Sequence, residues 1–220
     1  MNFLLFFGAL LALFLLARFI NTTLFRLLYR QTGSVGMSAY VVAVIYFPGV
    51  VIHEFSHVFA ALLLGVRVGK MEFMPVFANE QLKLGSVQIE KTDPLRKTLI
   101  GIAPVFGGLS AILVVLWAVT SQSQSLLWTL ISAIFVYQVG STMFSSKKDL
   151  EGTGVIFVVI FLIVGLLWFL NFPLLGLLDT GAGRFVGDLF GRAAYFLGIA
   201  VLLNTIIAVI LGLIIYLRRK

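Results

Sequence analysis

Apolar residues run along this chain in long blocks separated by short polar ones. Six such blocks stand out: about Asn2–Ile20, Ser38–Leu64, Thr98–Thr120, Leu126–Phe144, Val155–Leu178 and Tyr195–Leu217. Each is near the roughly 20 residues that a helix needs to cross a bilayer core. In lipid every backbone polar group must be satisfied internally, so such segments are helices unless they close into a barrel. The pattern predicts an all-α polytopic membrane bundle of about six transmembrane helices, one integral membrane domain over residues 1–220. The first block has no basic segment before it and reaches Arg18 without a small-residue cleavage site, so it reads as a retained helix.

Two connecting segments carry patterns of their own. Asn21–Arg30 sets Leu24, Leu27 and Leu28 beside Arg26 and Arg30, which suits either a short amphipathic helix at the interface or a solvated loop. Val66–Lys91 alternates apolar and polar residues with period two, between Gly65 and Pro94. That is a strand pattern, and it predicts a small membrane-associated β-hairpin or sheet between spans two and three, over about 66–92.

Composition agrees with a membrane protein. The chain is 60% hydrophobic and 11% charged, against about 45–50% and about 25% in soluble domains. Its net charge of +7 is placed by loop Lys and Arg that meet lipid, so no nucleic-acid partner is expected. With six spans, eleven basic residues fall in one set of loops and five (Arg18, Arg26, Arg30, Arg184, Arg192) in the other. The richer set, which includes Lys91, Lys97, Lys147 and Lys148, is expected to face the cytoplasm. There is no cysteine, which leaves nitrogen and oxygen as the metal-ligating atoms. Small size and the absence of cysteine suit a prokaryotic plasma membrane.

The candidate chemistry lies in the second block. The two histidines of the chain are His53 and His57, in His53-Glu54-Phe55-Ser56-His57. Four residues apart, they project from one face of a helix. The sequence H-E-x-x-H supplies two zinc ligands and a general base on one helix. Ionisable groups at membrane depth are expensive and mark function. Gly49, Ser56, Ala60 and Ala61 share this face, with Gly101, Gly107, Gly108 and Ser110 on span three as its expected counterpart, since small residues let helices approach closely.

A hydrolytic zinc site needs a third protein ligand, and here it must be Asp or Glu. Asp179 and Asp188 fall on the far side of the expected topology. Asp149, Glu151, Glu72, Glu80, Glu90 and Asp93 fall on the near side. Asp149 is preferred because it follows Gly140-Ser-Thr-Met-Phe-Ser-Ser, a small and polar stretch able to leave helical form where it lines a cavity.

With these residues in view, the sequence resembles the site-2 proteases, a family of intramembrane zinc metalloproteases. The likeness rests on the motif after Val51 and Ile52, the strand-like segment, Gly101-Ile-Ala-Pro104-Val-Phe-Gly-Gly, and Asp149-Leu-Glu-Gly152. It covers about residues 38–152, the expected catalytic core of a bare six-span member. The resemblance implies one Zn2+ per chain held by His53, His57 and Asp149, with Glu54 as general base. It implies a transmembrane or membrane-adjacent protein segment as substrate. The family's third-ligand motif, Asn-x-x-Pro-x-Pro-x-x-Asp-Gly, is not reproduced: the Asn and prolines are missing and Leu150 follows Asp149. Two other readings compete. A membrane zinc transporter can carry H-E-x-x-H but needs a relay of ligands on several helices, and a non-catalytic membrane protein can carry the motif inactive. Substrate identity and oligomeric state are not written in the sequence.

Overall fold

In a computed structural model of the chain, residues 2–73, 76–78, 81–83, 85–121, 125–144 and 180–217 are described. They are mostly helical. The elements are α1 (Asn2–Thr32), α2 (Val35–Ile45), α3 (Phe47–Leu63), four strands, α4 (Pro94–Ser121), α5 (Leu126–Thr142) and α6 (Gly181–Leu217). The strands are β1 (Val68–Glu72), β2 (Val76–Ala78), β3 (Gln81–Lys83) and β4 (Ser86–Ile89). Among the described residues three helices are long and apolar enough to cross a membrane, and four spans result if α2 and α3 together count as one. The expected fifth block, Val155–Leu178, lies outside the described residues.

Helix α1 does not stop near Ile20. Asn21–Arg30 is neither a separate helix nor a loop, because no Gly or Pro interrupts the run before Gly33 and the donors of Asn21 and Thr22 both find backbone carbonyls. Thr22 Oγ1 donates to Arg18 O at 2.8 Å, and Asn21 Nδ2 donates to Ser141 O at 2.8 Å. The helix ends where Gly33 takes φ +63, a left-handed conformation that costs glycine little. Ser34 then caps α2, its side chain accepting from Met37 N. Buried Phe6, Leu13, Ala17, Ile20 and Leu27 form one stripe of α1, and α1 packs along α6.

The second block is not one straight helix. It bends by 80° between α2 and α3. Pro48 stands in the first turn of α3, where its ring and missing N–H are tolerated, but it cannot continue α2. The bend is packed by fully buried Tyr46, whose hydroxyl lies 2.8 Å from that of Tyr137. Gln138 Nε2 donates to Ile45 O at 2.6 Å, supplying a donor to a carbonyl at the break.

At its other end α3 closes with reciprocal backbone bonds, Val66 N to Ala61 O at 2.8 Å and Gly65 N to Leu62 O at 3.1 Å, with Gly65 at φ +67. This is a Schellman motif. Its apolar contact is the cluster of Ala61, Val66 and Ile100, which turns the chain back toward α4. The period-two segment is strand, as its alternation predicts. β1 pairs antiparallel with β4 (Val68↔Ile89, Met71↔Val87, Glu72↔Ser86), and β2 pairs with β3 within that hairpin.

The main core is shared by α1, α4, α5 and α6 and includes Leu13, Ile112, Val136, Val139, Leu197 and Ala200. Helix α6 begins at Gly181, well before the apolar block near Tyr195, because Asn2 Nδ2 holds Gly187 O at 2.9 Å and the early turns ride on the start of α1. Leu4, Phe59, Leu63, Trp117 and Leu202 are among many large apolar side chains that face outward, as lipid contact allows.

Candidate functional site

The motif lies on α3, between the proline-forced bend and the Schellman turn, so its place along the helix is set at both ends. His53, Glu54 and His57 are buried, at 5%, 6% and 6% exposure, while Phe55 and Phe59 on the opposite face are exposed. The motif therefore faces protein, as ionisable residues at membrane depth do. The two imidazole rings meet edge to face with centroids 4.9 Å apart.

Three neighbours surround this face. The first is α4. A Cβ on Gly107 would strike Ser56 Oγ and come 2.9 Å from Ser56 Cβ, so α3 and α4 touch almost backbone to backbone. Ser56 Oγ turns back to its own helix, donating to Ile52 O at 2.6 Å. This is the small-residue contact expected of Ser56 and Gly107; Ser110, expected on the same surface, is exposed instead. About two turns earlier on α4 than Gly107, Ile100 O lies 2.8 Å from His57 Nδ1. A carbonyl only accepts, so Nδ1 carries the proton.

The second neighbour is α5. A Cβ on Gly49 would meet Thr142 Oγ1 and lie 2.6 Å from Gln138 O, and one on Gly108 would lie 2.7 Å from Met143 Cβ. The C-terminal end of α5 thus sits in the crevice between α3 and α4.

The third is the β-hairpin. A Cβ on Gly85, just before β4, would come 2.8 Å from Glu54 Oε1 and 2.8 Å from Val50 Cγ1. The chain entering β4 therefore runs directly over the Glu54 carboxylate. Phe73, just past β1, stacks on Phe55 at 5.8 Å between centroids.

Of the candidate third ligands, Asp149, Glu151 and Glu80 lie outside the described residues. Glu72, Glu90 and Asp93 are exposed and do not join the histidines. Glu72 accepts from Ser86 Oγ at 3.4 Å. Asp93 caps α4 through Arg96 N at 3.0 Å and pairs with Arg96 Nε at 3.2 Å. Among the described residues there is no group of three His, Cys, Asp or Glu able to hold a metal. The described part of the site supplies two imidazoles and one carboxylate.

Sequence reasoning missed Gly85, Val50 and the Ile100 carbonyl. It also missed a buried polar network behind the bend. Ser141 Oγ donates to Asn204 Oδ1 at 3.2 Å, Asn204 Nδ2 donates to Ala200 O at 2.9 Å, and Asn21 Oδ1 is buried without a hydrogen-bond partner. Single amides in otherwise apolar helices were the available signal. No protein-family model matches this sequence, and comparison with curated proteins and with solved structures gives no significant match.

Proposed function

We propose that this chain is an intramembrane zinc-dependent endopeptidase of the site-2 protease type, built as a six-span bundle with residues 38–152 as its catalytic core. One observation carries the reading: all three ionisable residues of H-E-x-x-H are buried on the protein-facing side of a membrane helix. The donor set fits zinc. Two imidazoles bound to one tetrahedral ion at about 2.0–2.1 Å have centroids roughly 5 Å apart, close to the 4.9 Å between these rings. Asp149 is the proposed third ligand. The chain leaves α5 beside Gly49 and Gly108, and five more residues extend at most about 18 Å, enough to reach the motif from there.

When bound, zinc lowers the pKa of a coordinated water from about 15.7 toward about 7 and polarises the scissile carbonyl. His53 and His57 would hold the ion. Glu54 takes the proton from the attacking water and passes it to the leaving amine. The hairpin over Glu54 limits bulk water at the carboxylate. A transmembrane substrate must unwind before a peptide bond can enter, and the outer edge of β4 could hold the extended chain by strand addition beside Glu54. The excess of basic residues on one set of loops opens the site toward the cytoplasm, and a prokaryotic plasma membrane suits a chain without cysteine. A transport reading needs further ligands along a path, and none is grouped among the described residues.

The test is zinc per chain in detergent-purified protein, read beside cleavage of reconstituted single-span substrates. Wild type should hold one zinc. Glu54→Gln should keep it and lose cleavage, and Asp149→Ala should lose or weaken zinc. Wild-type protein that holds no zinc after reconstitution, or a Glu54→Gln variant that still cleaves, overturns the proposal.

A further inference from the structure

Helix α4 contains a proline, Pro104, in the segment packed on the motif. In an unbroken α-helix the N–H of residue 104 would donate to the carbonyl of residue 100. Proline has no N–H, and its ring pushes that same carbonyl away from the helix axis. The carbonyl so released is Ile100 O, and it accepts from His57 Nδ1 at 2.8 Å. Ile100 is 2% exposed, so water is a poor substitute for that donor. Two contacts hold the acceptor in range: Gly107 against Ser56 on the motif side, and Ile100 itself against Ala61 and Val66 at the end of α3.

We infer that Pro104 is a positioning residue for the metal site: it dedicates the Ile100 carbonyl to His57, fixing the imidazole with its proton on Nδ1 and its lone pair on Nε2. This rests on the zinc reading above. A ligating histidine whose other nitrogen donates to a fixed acceptor is held in one tautomer and orientation, and loss of such a partner typically weakens metal binding about 10–100-fold. Restoring an N–H at position 104 gives the Ile100 carbonyl a competing donor within its own helix and lets α4 straighten away from His57.

The experiment measures the zinc dissociation constant of the full chain in detergent by chelator competition, with 15N-histidine NMR to read the tautomer of His57. Three chains are compared: wild type, Pro104→Ala, and Pro104→lactic acid. The last has the alanine side chain but an ester oxygen in place of N–H. Pro104→Ala should weaken zinc about 10–100-fold and give His57 mixed tautomers, while the ester chain should stay within about threefold of wild type. Wild-type affinity and tautomer in Pro104→Ala overturn the inference. So does equal weakening in both variants, which would assign the effect to the ring and not to the missing N–H. If Pro104→Ala does not fold, the wild-type spectrum decides: Nδ1 protonated with Nε2 on the metal upholds the inference, and Nδ1 on the metal ends it. A wild type without zinc would sink the metal reading alone, and the His57 tautomer of the metal-free chains would still decide the role of Pro104.

Discussion

Glu54 and Gly85 show how one residue can be read from sequence while its neighbour cannot. Glu54 stands between two histidines in an apolar run, where an ionisable group is expensive and so draws notice. Gly85 looks like any glycine in a strand-like segment, because its importance comes from the hairpin folding back across α3. An added Cβ would sit 2.8 Å from Glu54 Oε1 and 3.0 Å from Glu54 Cγ, too close for either atom to keep its place. Gly85→Ala should therefore displace the carboxylate and leave the histidines as they are. On the protease reading the expected outcome is unchanged zinc content with cleavage lowered by up to about 10²-fold, which a misplacement of about 1 Å at a reacting group can cost. Zinc analysis and initial rates on one preparation check this, and undiminished cleavage would show that the hairpin does not press on Glu54.

At the scale of elements, hydropathy located the apolar blocks but not how each begins, bends or ends. It ran through Ser38–Leu64 as one span, whereas Pro48 divides the block and turns it by 80°. It stopped α1 near Ile20, since Asn21 and Thr22 look like a boundary. Each in fact makes a hydrogen bond that keeps the helix going, which a hydropathy window does not register. The strand pattern of 66–92 was legible because period two is a local property. The bend is where tertiary structure adds most. In a continuous helix Ile45 O would accept from Gly49 N; at the break it accepts from Gln138 Nε2 at 2.6 Å. Gln138→Leu removes that donor and should destabilise the protein by about 1–3 kcal/mol, seen as a lower midpoint in thermal unfolding in detergent. An unchanged midpoint would mean that the bend is held without it. The start of α4 gives a pH test. The backbone N–H of Arg96, bonded to Asp93, lowers the Asp93 carboxyl below its ordinary value. A depressed native pKa stabilises above the unfolded value and is lost as pH falls through the native one. Protection of the Arg96 amide against hydrogen exchange, corrected for intrinsic rates, should therefore fall with acidification below about pH 4 in wild type. In Asp93→Asn it should show no such acid-dependent fall.

For the whole molecule, the question is whether the α2–α3 pair crosses the membrane or dips in and returns. The answer fixes which side the site opens toward. Helix α1, at 31 residues, is about 46 Å long and exceeds a hydrocarbon core of about 30 Å, long enough for its ends to reach both interfaces. Helix α3, at 17 residues, is about 25 Å long, enough to cross a locally thinned bilayer while α2 lies near the surface at 80° to it. If α3 crosses, the α1–α2 connection and the strand-to-α4 connection lie on opposite sides. The basic residues agree, with Arg18, Arg26 and Arg30 on the poorer side and Arg67, Lys70, Lys91, Arg96 and Lys97 on the richer. The chain has no cysteine, so a single introduced thiol reports without background. Arg30→Cys and Lys91→Cys, both at exposed positions, should label from opposite faces with a membrane-impermeant maleimide. Arg30→Cys should react in right-side-out vesicles and Lys91→Cys in inverted ones. Labelling of both from one face would make α2–α3 re-entrant and move the mouth of the site to the side of Arg30. Labelling from opposite faces would put Glu54 within one crossing helix whose hairpin end lies on the Lys91 side, and on the protease reading an unwound substrate segment would have to arrive from that side.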